Sequence, residues 1–259
     1  MPGSISLILN EEKPRSSRAA ATVRLEAEKA GYAILDMPLH DTKLMFAIGG
    51  DGMVLKAARM CAPLDIPVAA LNTGTLGFLG ADPENLALYV NKLLATDVLP
   101  VEKRVMLEAV WDCGRVLALN DIVIKNGDTA RVIELSVRTE EESICRIKGD
   151  GVIISTPTGS TAYSLAAGGP VVSPLLDLII VTPISTHSLH ARPVIIGNEK
   201  ITVEVISGEG NTLMTSDGQE QFHIGKSSRA VVSLYGKKLS MVTTGRGFFE
   251  SLSGKMGWS

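Results

Sequence analysis

Apolar and polar positions follow two different rhythms along the chain. In the first hundred residues short apolar runs alternate with stretches of helical spacing. Residues 5–9, 44–48 and 67–71 read as strands, 16–30 as a helix ended by Gly31, and 83–94 as another helix. Helix formers also fill residues 53–60, with Val54, Leu55 and Ala58 on one face and Lys56 and Arg59 off it. Strands alternating with helices predict a parallel sheet covered by helices.

From about Val101 the rhythm changes. Residues 105–110, 116–119, 122–124, 132–138, 152–154, 201–206 and 230–234 are short β-type runs separated by Gly, Asn, Asp and Ser. Between Ile133 and Arg138 apolar and polar residues alternate strictly, which marks a strand with one wet face. This part predicts an all-β antiparallel sandwich or layered sheet. Residues from Phe248 onward lose the alternation and fit a helix returning to the first domain. The expected division is therefore an α/β domain of residues 1–98 joined by 245–259, and a β-rich domain of residues 99–244.

Composition narrows the function classes. With 259 residues, 45% hydrophobic and 20% charged, the chain can bury one large core or two modest ones. A formal net charge of −3 argues against nucleic-acid binding driven by bulk positive charge, so a bound anion has to be held by specific groups. The most apolar region, residues 171–184, is interrupted by Ser173, Pro174, Asp177, Thr182 and Pro183, and predicts no membrane span. The first residues lack a basic region and a cleavage site, and a cytoplasmic location is expected. Cys61, Cys113 and Cys145 suggest neither a disulfide framework nor a zinc site. His187 and His190 lack an acidic partner at ligand spacing.

The first candidate for chemistry is Gly49-Gly50-Asp51-Gly52, where an apolar strand breaks into glycine ahead of a helix. That order brings a carboxylate and free backbone to the carboxyl end of a strand, where an anion also meets the positive end of the helix. The same residues read equally as a tight turn whose Asp51 caps the helix. No Gly-Lys-Ser/Thr follows, so this is not a Walker loop. Residues 72–79 form a second loop at the same sheet edge, with Phe78 either covering a bound ring or packing in the core. In the β half, residues 155–170 are rich in Gly, Ser, Thr and Ala, poor material for a core. They suit a loop and short helix against a flat ligand, with Tyr163 offering a stacking face, or else a surface loop of small turn residues. Asn120-Asp121, taken alone, reads as a turn.

Together with Thr182-Pro183-Ile184, His187-Ser188-Leu189 and Arg192-Pro193, these segments resemble the ordered motifs of NAD kinases, over about residues 44–219. Phe248-Phe249 and Lys255-Met256-Gly257-Trp258 are similar to that family's C-terminal end. The resemblance implies a Rossmann-like α/β domain followed by a sandwich-like β domain. It also implies phosphoryl transfer from ATP or polyphosphate to the 2′-hydroxyl of the adenosine ribose of NAD, with Mg²⁺ or another divalent cation carried by the donor phosphates.

By motif match, Asp51 is the catalytic carboxylate, and Gly49, Gly50 and Gly52 form the donor-phosphate loop. Gly52, Lys56 and Phe78 join Asp51 in the NAD site. Asn120 and Asp121 match the family's polar pair, and Arg131, Lys148 and Asp150 its flanking contacts. Thr161, Ala162, Tyr163, Ser164, Leu165 and Ala166 match the dinucleotide-binding loop, with Ser185 and Gln219 as further contacts. Met53 stands where Thr is usual, and Asp121 where Glu is common. The resemblance implies a homodimer or homotetramer, with neither nucleic acid nor membrane as partner. The rival readings are a lipid or sphingoid kinase sharing the Gly-Gly-Asp-Gly element, and a dinucleotide-binding regulator without catalysis.

Overall fold

The computed structural model describes residues 3–74, 77–127, 132–188, 190–207, 212–243, 245 and 247–257. The chain divides into two compact units, residues 1–104 with 237–259, and residues 105–236.

The first unit begins β1 (Ser4–Leu9), α1 (Pro14–Lys29), β2 (Ala33–Leu35), β3 (Thr42–Gly49) and α2 (Asp51–Cys61), and continues β4 (Val68–Asn72), α3 (Leu86–Ala95) and β5 (Val101–Arg104). Pro14 opens α1, where a missing N–H leaves no intrahelical bond unmade. Ala20, Val23 and Ala27 then recur at helical spacing and are buried. Asn85 caps α3 by accepting the Leu88 N–H at 3.0 Å, so this helix starts after Asn85 rather than at Pro83. Residues Leu44 to Ile48 of β3 are all buried, as both faces of a helix-covered parallel sheet require.

The second unit contains β6 (Leu107–Trp111), β7 (Gly114–Ala118), β8 (Asp121–Asn126), β9 (Ile133–Arg138), β10 (Ser143–Gly149) and β11 (Gly151–Ser155). A short helix, α4 (Tyr163–Ala166), precedes β12 (Ile179–Ile184), β13 (Val194–Ile196), β14 (Ile201–Ser207), β15 (Thr212–Ser216), β16 (Glu220–Ile224) and β17 (Arg229–Leu234). They form two six-stranded sheets, β10-β9-β14-β17-β6-β7 and β13-β12-β11-β8-β15-β16, with antiparallel neighbours throughout. Alternate residues of both sheets meet in one core, Leu135, Val137, Val203 and Val232 from the first, Ile122, Ile124, Ile154 and Val181 from the second. This is the sandwich that the alternating pattern predicts.

The chain then returns to the first unit as β18 (Leu239–Val242) and α5 (Phe248–Met256). The first sheet has the order β2-β1-β3-β4-β18-β5. Its neighbours from β2 to β18 are parallel, and β5 runs antiparallel to β18. The first sheet thus includes residues 101–104 and 239–242, which lie outside the expected bounds at 98 and 245. Glu102, Lys103 and Arg104 make β5 a polar edge strand with no apolar run to read.

Candidate functional site

Two polar constellations emerge, one in each unit, and each is built by backbone geometry. In the first unit the chain leaves β1 through α1 to β2 on one side, and leaves β3 through α2 to β4 on the other. The strand order therefore reverses between β1 and β3, the place where open α/β sheets bind ligands at the carboxyl ends of their strands. β3 ends there in Gly49, whose φ of +154° favours glycine. A Cβ on Gly49 would come 2.7 Å from Met53 Cγ.

Gly50 occupies the N-cap position of α2 without a side-chain cap, and Asp51 is the first helical residue. Asp51 is therefore not the cap. Its carboxylate turns to the loop after β4, where it accepts the Phe78 N–H at 3.0 Å and the Leu79 N–H at 3.3 Å. The loop comes this close because residue 77 is glycine: a Cβ there would lie 1.9 Å from Asp51 Oδ1. The loop is tied to the sheet by the Thr73 N–H on the Gly49 carbonyl and by the Gly74 N–H on Asn72 Oδ1. Ser16 on α1 adds a hydroxyl contact to Thr73 at 2.7 Å. Phe78 is half-buried, and Gly52 and Lys56 are exposed along α2.

In the second unit the two-residue connection between β7 and β8, Leu119-Asn120, is bonded on both sides. The N–H groups of Leu119, Asn120 and Asp121 all donate to the Asp217 carboxylate, at 3.1, 2.7 and 3.3 Å. On the other side, Thr156 Oγ1 donates to the Leu119 carbonyl at 2.6 Å, and the Thr156 N–H and Ser155 Oγ donate to the Asn120 carbonyl. Gly159 allows the hydroxyl-rich segment to pack here, since a Cβ would lie 2.1 Å from the Asn120 oxygen.

Asp121 faces Ser155 across the β8–β11 pair, on the side of the sheet opposite the sandwich core. Burial, reinforced by the Asp217 charge, pushes its carboxyl up to about 7. Along the same face Ser164 on α4 shares a hydroxyl contact with Thr182 on β12 at 2.9 Å.

The expectation that residues 155–170 make poor core is corrected in part: Ser155, Thr156, Thr158, Ser160 and Ser164 are buried. Small hydroxyls can be buried when their oxygens replace backbone partners, as the Ser160 hydroxyl does in donating to the Val172 carbonyl and accepting the Val172 N–H. Tyr163 remains exposed, and Thr161, Ala162 and Leu165 are half-buried. A neighbouring backbone cluster brings Lys148 and Asp150 beside Ser185: the Asp150 N–H donates to the Ile184 carbonyl and the His187 N–H to the Lys148 carbonyl. Ser185 has a left-handed φ of +43°. Among the described residues no three His, Cys, Asp or Glu side chains group as a metal site, and no helix is long and apolar enough to cross a membrane.

Family models match both units: the ATP-NAD kinase N-terminal domain over residues 7–98, and the ATP-NAD kinase C-terminal domain over residues 119–244. The chain belongs to the NAD kinase family. Among its relatives, the NAD kinase of Symbiobacterium thermophilum is 37% identical over 242 residues, covering 84% of this chain and 85% of that one. The NAD kinase of Acidobacterium capsulatum is 37% identical over 247 residues, covering 92% and 86%. The fold is shared with yeast NADH kinase, crystallised with NADH, at a TM-score of 0.88 and 22% identity over 100% of this chain and 88% of that one. It is also shared with an NAD kinase from Archaeoglobus fulgidus, crystallised with ATP, at a TM-score of 0.79 and 24% identity over 97% and 98%.

Of the residues singled out by resemblance to this NAD kinase family, the first unit brings together Gly49, Gly50, Asp51, Gly52 and Phe78. The second brings Asn120 and Asp121 against the Ser155–Gly159 turn that leads into residues 161–166. Gln219 is exposed in the β15–β16 hairpin, two residues from Asp217. Arg131, Leu189 and Trp258 lie outside the described residues. Sequence reading missed Asp217. Its signal was the dipeptide Asp217-Gly218, both residues at left-handed φ (+52° and +63°), which marks a tight hairpin and says nothing of a partner almost a hundred residues away.

Proposed function

We propose that this protein transfers the terminal phosphoryl group of ATP to the 2′-hydroxyl of the adenosine ribose of NAD, forming NADP. The observation that carries the reading is the setting of Asp51, at the first turn of α2 beside the strand-order reversal, with its carboxylate anchored by two backbone N–H groups. A ribose hydroxyl is a weak nucleophile. A carboxylate that orients it and accepts its proton contributes typically about 10²–10⁴-fold. In this reading Asp51 takes that proton as the ribose oxygen forms its bond to phosphorus and ADP departs. Backbone N–H groups at the start of α2 face the donor's negative phosphates.

Asn120, Asp121 and residues 161–166 hold the adenosine end of NAD, with Tyr163 as stacking surface. Lys56, Phe78, Arg131, Lys148, Asp150, Ser185 and Gln219 are assigned as further NAD contacts. The divalent cation is assigned to the donor phosphates, as part of the substrate. Polyphosphate presents the same phosphate chemistry to the turn. Family membership supports extending the reading to a cytoplasmic homodimer or homotetramer.

The test incubates purified protein and Mg²⁺ with NAD or NADH, each with ATP or polyphosphate, and with diacylglycerol in parallel. Formation of NADP or NADPH is expected. Phosphorylation of the lipid alone, or no product with any donor, overturns the reading.

A further inference from the structure

We propose that Asp217 is the positioning residue of the Asn120-Asp121 pair, its carboxylate fixing the backbone from which both side chains meet NAD. This rests on the functional reading above. In an extended strand successive N–H groups point to opposite sides. Three successive N–H groups converge on one carboxylate only because Leu119-Asn120 is a bend and not a strand. Asp217 is held in return, since its own N–H donates to the Asp121 carbonyl at 2.9 Å and the Gln219 N–H closes the turn on Ser216. With the carbonyls of Leu119 and Asn120 taken by Thr156 and Ser155, all six backbone groups of residues 119–121 are bonded. The Asn120 amide and the Asp121 carboxyl are the polar groups outside this network. Their directions are set by the hairpin tip.

The arrangement also separates two tasks. Asp217, buried beside Asp121, collects the donors. Asp121 presents the neighbouring carboxyl, and its surroundings are shaped by the charge Asp217 carries.

The informative variant is Asp217→Asn, because asparagine accepts the left-handed backbone of this turn and keeps one acceptor oxygen. Its amide oxygen can replace only one of the two carboxylate oxygens and its NH₂ cannot accept, so at least one of the three N–H groups loses its partner. Amide hydrogen exchange at residues 119–121 reads the clamp without reference to activity. Calorimetric NAD affinity reads its consequence. Faster exchange, NAD binding weakened roughly tenfold or more, and a smaller change in turnover at saturating NAD with KM for ATP unmoved are expected. Asp217→Ala, which removes every acceptor, should weaken NAD binding further than Asp217→Asn.

Unchanged exchange or unchanged NAD affinity in Asp217→Asn, with wild-type protein binding NAD normally, overturns the positioning role. Equal losses in NAD affinity, KM for ATP and turnover also overturn it, since they indicate general unfolding of the unit. A wild-type protein that binds no NAD instead overturns the functional reading itself.

Discussion

Asp51 and Asp217 solve the same local problem in different units. Each is a carboxylate that gathers backbone N–H groups from a distant loop, two from residues 78–79 for Asp51 and three from residues 119–121 for Asp217. In the α/β unit the carboxylate that holds the loop is also the one proposed to meet the ribose hydroxyl. In the β unit the proposed tasks are divided, with Asp217 holding the backbone and Asp121 assigned to present its carboxyl to NAD. On that proposal a substitution at Asp51 disturbs anchoring and chemistry together, whereas the β unit lets anchoring and NAD contact be changed one at a time.

The sharpest break in that comparison is Asp51→Asn. Turnover should fall by at least about 10²–10⁴-fold while calorimetry still registers NAD binding, and near-normal turnover would sink the assignment of Asp51 as proton acceptor. Gly77→Ala leaves the carboxylate in the sequence and attacks its anchoring alone, because the new Cβ lies 1.9 Å from Asp51 Oδ1. Turnover should drop about 10²-fold, as a displaced reacting group implies, with the circular dichroism spectrum retained. Wild-type kinetics in Gly77→Ala would show that the loop does not fix Asp51.

The β unit offers a test through pH. Asp121 rises from its ordinary value of 3.8 to about 7 in the fold. Between those values the folded chain binds one proton more than the unfolded chain, so the contribution to stability is full below 3.8 and is lost as pH rises through about 7. Asp121→Asn removes that slope. Urea unfolding of the two proteins from pH 4 to 8 should diverge in the variant's favour by about 1–4 kcal/mol, and parallel curves would remove the burial argument.

The smallest effect is expected at Gly50, where an added Cβ meets nothing within 4 Å. Gly50→Ala should cost stability no more than about 1 kcal/mol as an N-cap change. A fall in turnover with unchanged melting temperature would place the donor phosphates against this residue.

The rhythm of apolar residues exposed much of this architecture. It marked β3 because every position from Leu44 to Ile48 is buried, and β9 because Ile133, Leu135 and Val137 alternate toward the core. It passed over β12, where Pro183 pairs with Val152 inside the sheet although proline is rare within strands. It also passed over β18, whose four residues carry too little pattern to distinguish them from a loop. The glycine turn was legible because residues 49–52 are contiguous. The anchoring of Asp51 by residues 78–79, and of Asn120 by Asp217, was not, since both depend on contacts that only topology creates.

The strand β18 carries a further consequence, for synthesis. The first sheet places residues 239–242 between β4 and β5, so its hydrogen-bonded order cannot be completed until those residues, well after the whole β unit, have left the ribosome. The β unit, made from the uninterrupted residues 105–236, can fold while the α/β unit still waits for its missing strand. A chain cut short after residue 236 would keep the residues of both constellations and leave β5 with no neighbour. It is the tail, far in sequence from Asp51, that decides when the sheet carrying Asp51 is finished.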